Sequence, residues 1–235
     1  MKIGIIGAMA VEVQMLKDIM ENVCIDTISG IEFYSGTIAN ASVVVAQAGV
    51  GKVNAAVCAE AMILKYNPAA VINIGVAGGL SGSLKVGDIA IADSVAEHDM
   101  DTSALGDPIG FITGINMVKI PCEKWIQETL KEAAEKIDGV HVLCGTIVSG
   151  DQFISSKEKK AQLVEQFNGI ATEMEGASIG HVCYMNAIPF GVLRAISDSA
   201  DDEADMSFNE FCDMAAKNSL AVILSFLEKV RENNI

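Results

Sequence analysis

The chain has 235 residues, 51% of them hydrophobic and 20% charged, which suits a large buried core and excludes a disordered tail or a disulfide-stapled mini-protein. Its 31 acidic residues against 16 Lys and Arg leave a net charge of -15, and a field of that sign repels phosphate backbones and anionic bilayers, so neither nucleic acid nor membrane is expected as a partner. Arg194 and Arg231 are the only arginines, which leaves little for the bidentate clamping of a polyanion.

Six cysteines (Cys24, Cys58, Cys122, Cys144, Cys183, Cys212) form no C-x-x-C pair. They read as reduced thiols of a cytoplasmic protein rather than a zinc site or a disulfide framework. The uncharged window from Tyr66 to Leu84 is too rich in glycine and asparagine for a membrane span, and the apolar start, Met1 to Gly7, is too short for a signal segment.

In chain order, the first apolar run, Ile3 to Ile6, predicts a strand and Val11 to Glu21 a helix. Phe33 to Ile38 and Ser42 to Ala46 flank Asn40 as a hairpin. A helix over Lys52 to Tyr66 and strands at Ala70 to Ile74 and Asp88 to Ala92 follow. The aperiodic stretch from Asp99 to Ile115, with Gly106, Pro108, Gly110 and Gly114, predicts a long functional or interface loop. Then come a helix at Glu123 to Ile137, a strand at Val142 to Val148, and helices at Lys157 to Phe167 and Gly176 to Met185. A strand at Phe190 to Ile196 and a long helix from Phe208 to Arg231 close the chain. Near-continuous apolar strands alternating with helices predict α/β layers around a mixed sheet covered on both faces. No repeat or linker divides the chain, so residues 1–235 are expected to form one domain.

Familiar motifs fail on inspection. Gly49-Val50-Gly51-Lys52 has Ala46 and Val53 where a phosphate-binding loop needs Gly and Ser or Thr, and Asn54 stands at the third glycine of a dinucleotide fingerprint. Both this cluster and Gly75 to Gly79 read locally as tight turns. His98, Asp99 and Asp101 lack metal-ligand spacing, and the acidic run Asp201, Asp202, Glu203, Asp205 has Met206 in place of the EF-hand glycine. No serine stands in a G-x-S-x-G elbow. Three acids are better placed. Glu12 follows the first strand, Glu173 and Glu175 follow Ile170 to Thr172, and Asp198 ends the strand through Ile196. One such acid is explained by helix capping, but three at strand ends point to a shared cleft.

Met1 to Met9 with Glu12, Asn73 to Gly79, Val148 to Ile154, Glu173-Met174-Glu175, and Arg194 to Asp198 followed by Ser207-Phe208 together resemble the methylthioadenosine/S-adenosylhomocysteine nucleosidases. The resemblance runs in order over nearly the whole chain. It implies a nucleoside phosphorylase-like three-layer α/β/α sandwich with a central mixed β-sheet, usually a homodimer. The reaction it implies is cleavage by water of the N-glycosidic bond of 5′-thio-substituted adenosines, with neither metal nor organic cofactor.

Carried over by resemblance, Glu12 is the base that activates water and Asp198 the acid that protonates adenine N7. Glu175 holds the ribose hydroxyls, Phe153 stacks on adenine, and the backbone of Ile154 reads its edge. Met9 and Met174 line the ribose side, Phe208 closes over the 5′ group, and Gly78, Arg194 and Ser197 support the site. Departure of a base from a sugar carbon passes through an oxocarbenium-like state, so base protonation and water activation fall to separate carboxyls. An unperturbed Asp titrates near ~3.9, so Asp198 is expected to be raised by burial and Glu12 to stay ionised.

Val76 replaces a serine frequent in the family, and the loop at residues 98–113, expected to reach the partner's site, carries Thr102, Leu105 and Thr113 where larger apolar residues or proline are common. Other readings are a hydrolase of futalosine or aminodeoxyfutalosine, a purine nucleoside phosphorylase, which the arginine count disfavours, a silent nucleoside-binding protein, and a generic Rossmann-like cofactor binder.

Overall fold

The computed structural model describes residues 1–200 and 204–232, with residues 204–210, 212 and 213 described by backbone alone. The strands are β1 (Lys2–Gly7), β2 (Glu21–Ile28), β3 (Ile31–Ile38), β4 (Ala41–Gln47), β5 (Ala70–Gly79), β6 (Ile89–Glu97), β7 (Ile120–Pro121), β8 (Val142–Ser149), β9 (Gly169–Glu173) and β10 (Phe190–Asp198). The helices are α1 (Ala10–Asp18), α2 (Lys52–Tyr66), α3 (Lys124–Ala134), α4 (Lys157–Phe167), α5 (Gly176–Met185) and α6 (Ala204–Glu232).

All ten strands belong to one mixed sheet with the path β10-β6-β8-β9-β5-β1-β4-β3-β2 and β7 paired to β6. β10 also pairs with β5, so β5, β9, β8, β6 and β10 close on themselves while β1 to β4 extend outward from β5. Closure removes the open edges of that half. β5 can join three neighbours because one edge takes β10 along Val71 to Gly78, while the other is divided between β1 at Ala70 to Asn73 and β9 at Gly78 and Gly79.

Side chains alternate between two apolar layers, as the period of a strand requires. Ile3 and Ile5 face Val13 and Leu16 of α1, Ile126 and Leu130 of α3, and Val222, Phe226 and Leu227 of α6. Ile6 and Val44 face Ala55, Cys58 and Met62 of α2 and Ile179 and Cys183 of α5. A smaller group beneath α4 joins Leu163 and Phe167 to Leu80, Val148 and Ile154. The expected α/β fold, with a central mixed sheet between helical layers, is present.

α2, α4 and α5 lie where the sequence places them. α1 differs: it stops at Asp18, and Glu21 already belongs to β2. β2 is the outer strand of the hairpin ribbon, and most of it is exposed, so no buried face imposed an apolar alternation by which it could be read. The turn between β3 and β4 uses Ala39 and Asn40, both at positive φ (49° and 63°), the geometry two-residue hairpins favour. Among the described residues, no helix is long and apolar enough to cross a membrane.

Candidate active site

The carboxyl ends of β1, β5, β9 and β10 surround a cavity of about 290 Å³, the position at which α/β sheets receive ligands. Each end supplies one part of the wall: Met9 and Glu12 after β1, Val76 to Gly78 from β5, Thr172 and Glu173 from the end of β9 with Met174 and Glu175 after it, and Ser197 with Asp198 from β10. Gln152, Phe153 and Ile154, from the segment after β8, close another side.

Glu12 lies in the first turn of α1, yet its carboxylate turns back to the sheet. Oε2 accepts from the amides of Ala8 (2.7 Å) and Met9 (2.8 Å), and Oε1 accepts from the amide of Val76 (3.1 Å). Burial pushes its pKa above the ordinary carboxylate range, against the pull of the Arg194 charge and of these three amides. A carboxylate fixed in this way and raised in pKa by burial is a stronger base than an exposed one. The geometry depends on Gly75, where an added Cβ would overlap Arg194 Nη1 and Glu12 Oε1.

Next to the cavity, and sharing Glu173 and Glu175 with its wall, is a buried charge cluster. Arg194 is fully buried, and its Nη2 donates to Glu173 Oε2 and Asn73 Oδ1, with Glu175 Oε2 at 3.7 Å. Asn73 in turn donates through Nδ2 to the carbonyl of Ile6 (2.9 Å). Glu173 accepts also from Ser149 Oγ and from the amides of Glu175 (3.0 Å) and Gly176 (2.7 Å). Four donors thus converge on this carboxyl at the start of α5. A buried charge is tolerated when it is paired and hydrogen-bonded, and Glu173 supplies that pairing for Arg194.

Glu175 enters the cavity from the same turn, and its Oε1 accepts from the amide of Gly51 (2.8 Å). Burial first, and the neighbouring Glu173 charge second, push its pKa up to about 7, while Arg194 and the Gly51 amide oppose the shift. The Gly49 to Lys52 cluster is the tight turn its glycines suggested, with Gly49 and Gly51 at positive φ (88° and 97°), and its backbone also approaches a site carboxylate; Gly75 to Gly79, expected as a turn as well, instead continue strand β5. The next amide, that of Lys52, donates to Asp151 Oδ1 (2.8 Å). Lys52 Nζ bridges Asp99 (2.6 Å) and Glu97 (3.1 Å), and the amide of Asp151 donates to Asp99 Oδ2 (2.8 Å). One lysine therefore ties the start of the 98–113 loop to the segment that carries Phe153.

Asp198 sits where the β10 register against β5 shifts, between Ile196 and Asp198. Such an irregularity turns a side chain out of the strand's alternation. Its Oδ2 accepts from Ser197 Oγ and its Oδ1 from the amide of Ala200, both at 2.8 Å. Gly78 faces it closely, since a Cβ there would lie 2.7 Å from Asp198 Oδ1.

Of the expected site residues, Met9, Glu12, Gly78, Phe153, Ile154, Met174, Glu175, Ser197 and Asp198 all reach the cavity. Phe153 is half exposed, while Ile154 is buried. Arg194 is not among the wall residues but lies against Gly75 beside Glu12, with Glu175 Oε2 3.7 Å from its Nη2. Phe208 lies outside the described side chains, as does the acidic run from Asp201 to Glu203. Val50, Gln152, Thr172 and Glu173 also line the cavity. Each adjoins a residue or motif already singled out, which was the available signal. Among the described residues, no cluster of His, Cys, Asp and Glu is arranged to hold a metal ion.

A family profile described as "Phosphorylase superfamily" matches residues 2–228. A 5′-methylthioadenosine/S-adenosylhomocysteine nucleosidase of Exiguobacterium sp. is 38% identical over 233 residues, spanning 99% of this chain and 100% of that protein. The corresponding nucleosidase of Neisseria meningitidis, solved with methylthio-immucillin-A, superposes with a TM-score of 0.93 at 38% identity, covering 97% of this chain and 99% of that one. The futalosine hydrolase of Helicobacter pylori strain 26695 gives 0.92 at 37% identity, covering 97% of each chain. With the profile matching almost the whole length, the chain belongs to the phosphorylase superfamily and, within it, to the 5′-methylthioadenosine/S-adenosylhomocysteine nucleosidases.

Proposed function

We propose that the chain hydrolyses the N-glycosidic bond of 5′-methylthioadenosine and S-adenosylhomocysteine, releasing adenine and the 5-thioribose product. The observation that carries this reading is the meeting of Glu12, Glu175 and Asp198 in one cavity with the half-exposed ring of Phe153. In this account adenine lies on Phe153, with the backbone of Ile154 at its edge and Asp198 delivering a proton to N7. Glu175 holds the ribose hydroxyls between Met9 and Met174, and Gly78 leaves room for Asp198. Glu12 takes the proton of the attacking water, and the Arg194 charge beside Glu12 opposes the negative charge of the site. As the bond to the base stretches, the sugar becomes cationic and the base gains electrons, so a proton donor at the base and a carboxylate beside the water both act in the transition state.

Water rather than phosphate is the nucleophile in this reading. The only arginine near the cavity is already paired with Glu173, and Val76 brings no hydroxyl to that wall, so little is left to hold a phosphate dianion. The experiment is adenine release in phosphate-free buffer from methylthioadenosine, S-adenosylhomocysteine and 6-amino-6-deoxyfutalosine. Release that requires phosphate would assign a phosphorylase. The structural likeness to the Helicobacter pylori futalosine hydrolase supports the second reading, hydrolysis of futalosine-type substrates, and relative rates across the panel separate the two.

The same reading includes a single catalytic domain over residues 1–235, a homodimer and a cytoplasmic setting. Val53 and Leu64, eleven residues apart and so on one side of α2, are each 74% exposed, which supports a second copy covering that side. Sedimentation at micromolar concentration tests it. The five described cysteines are all free thiols, as in a reducing compartment.

A further inference from the structure

Thr172 has a buried hydroxyl that the chemistry described so far leaves unused. It is 5% exposed, and its Oγ1 has no hydrogen-bond partner, although β9 is paired on both sides at this position, with Gly78 of β5 and Val148 of β8. Buried hydroxyls in folded proteins nearly always find a partner, so an orphan on a cavity wall asks for one from outside the chain. Thr172 lines the same cavity as Phe153, Ile154 and Asp198. Its cross-strand neighbour Gly78 is the residue against which Asp198 Oδ1 rests. On a wall that is otherwise mainly apolar, one oriented hydroxyl discriminates between ligands strongly, because a ligand that cannot pair with it leaves it buried and unsatisfied.

We propose that Thr172 is a specificity-determining residue whose hydroxyl accepts a hydrogen bond from the exocyclic 6-amino group of the bound purine. The proposal rests on the nucleosidase reading: Asp198 at N7 places the 6-substituent on the same edge of the base, toward the strand pair that Thr172 and Gly78 form. A merely structural threonine would act differently. Replacing its orphan hydroxyl by a methyl group would leave catalysis unchanged and raise stability.

The test compares wild type with Thr172→Val and Thr172→Ser on 5′-methylthioadenosine and on its analogue bearing hydrogen at C6. The expected result is a fall in kcat/KM of about 3- to 10-fold for Thr172→Val on the 6-amino substrate, carried mainly by KM. The 6-hydrogen analogue should be unaffected by that substitution, and Thr172→Ser should restore the 6-amino preference. Equal losses on both substrates, or no loss on either, would overturn the proposal. Should Thr172→Val fail to fold, calorimetry of wild type and Thr172→Ala with free adenine and free purine decides, since the same preference for adenine over purine in both proteins overturns it as well. A wild-type protein that releases no adenine would sink the nucleosidase reading instead, while the comparison of free bases would still report on Thr172.

Discussion

Gly78 and Asp198 are in contact across the β5–β10 pairing: a Cβ on the glycine would stand 2.7 Å from Asp198 Oδ1 and 2.8 Å from the Ala200 Cβ. The acid at the end of β10 can occupy the cavity wall only because its neighbour has no side chain. Gly78→Ala is therefore expected to displace the carboxyl and lower kcat at least tenfold, since small misplacements of a reacting group are costly. Steady-state kinetics with a thermal melt as the folding control checks this; a variant with wild-type kcat would show that the contact does not position Asp198.

Replacing Asp198 itself by Asn keeps the size of the side chain and removes the transferable proton. The expected loss is about 10²–10⁴-fold in kcat, the range of general acid catalysis, with binding of the nucleoside largely retained. Retention is measured by calorimetry on the inactive variant. Full activity in Asp198→Asn would contradict the assigned role.

Glu175 gives the protein a pH-dependent stability. Its folded pKa, pushed up to about 7 by burial and Glu173, exceeds that of a carboxylate in the unfolded chain, so the native state holds the extra proton. Native-state proton uptake makes stability fall as pH rises. The contribution is complete below the ordinary carboxylate range and is lost as pH climbs from there through about 7. Glu12, also raised by burial, acts in the same direction. The melting temperature should thus fall between pH 5 and pH 8, and Glu175→Gln should flatten the slope without abolishing it, each kcal/mol corresponding to roughly 2–4 °C in a chain of this size. A slope identical in wild type and Glu175→Gln would remove Glu175 as its source.

The Gly51–Lys52 turn couples Glu175 to the loop bearing Phe153, through consecutive amides on Glu175 and Asp151. Gly51 has φ +97°, and a Cβ there would lie 2.9 Å from Asp151 Oδ1. Gly51→Ala is expected to cost about 1–3 kcal/mol of stability from the left-handed backbone and to raise KM. Lys52→Met, which leaves Asp99 and Glu97 without their shared cation, should raise KM several-fold with little change in kcat. A kcat effect without a KM effect would place the turn in the chemical step instead.

How far the sequence carried the fold follows from which contacts it records. α2, α4 and α5 were legible to the residue because apolar periodicity and local stop signals coincide there; Asn67 and Asn168 end α2 and α4 at positive φ. β2 was not, because an exposed edge strand has no buried face to pattern. The closure of β5 onto β9 and β10 joins strands over 90 residues apart and leaves no local trace. In the site, the acids at strand ends were legible as chemistry placed where α/β folds bind ligands. The pairing of Glu173 with Arg194 and the orphaned hydroxyl of Thr172 were not, because each is defined by strands that meet only on folding.

The central claim is hydrolysis, and adenine release from 5′-methylthioadenosine tests it most directly when followed with and without phosphate for wild type and Glu12→Gln. The account predicts release by wild type at a rate indifferent to phosphate, and a loss of at least about 10²-fold in Glu12→Gln. Release that depends on phosphate, or that survives unchanged in Glu12→Gln, would contradict it.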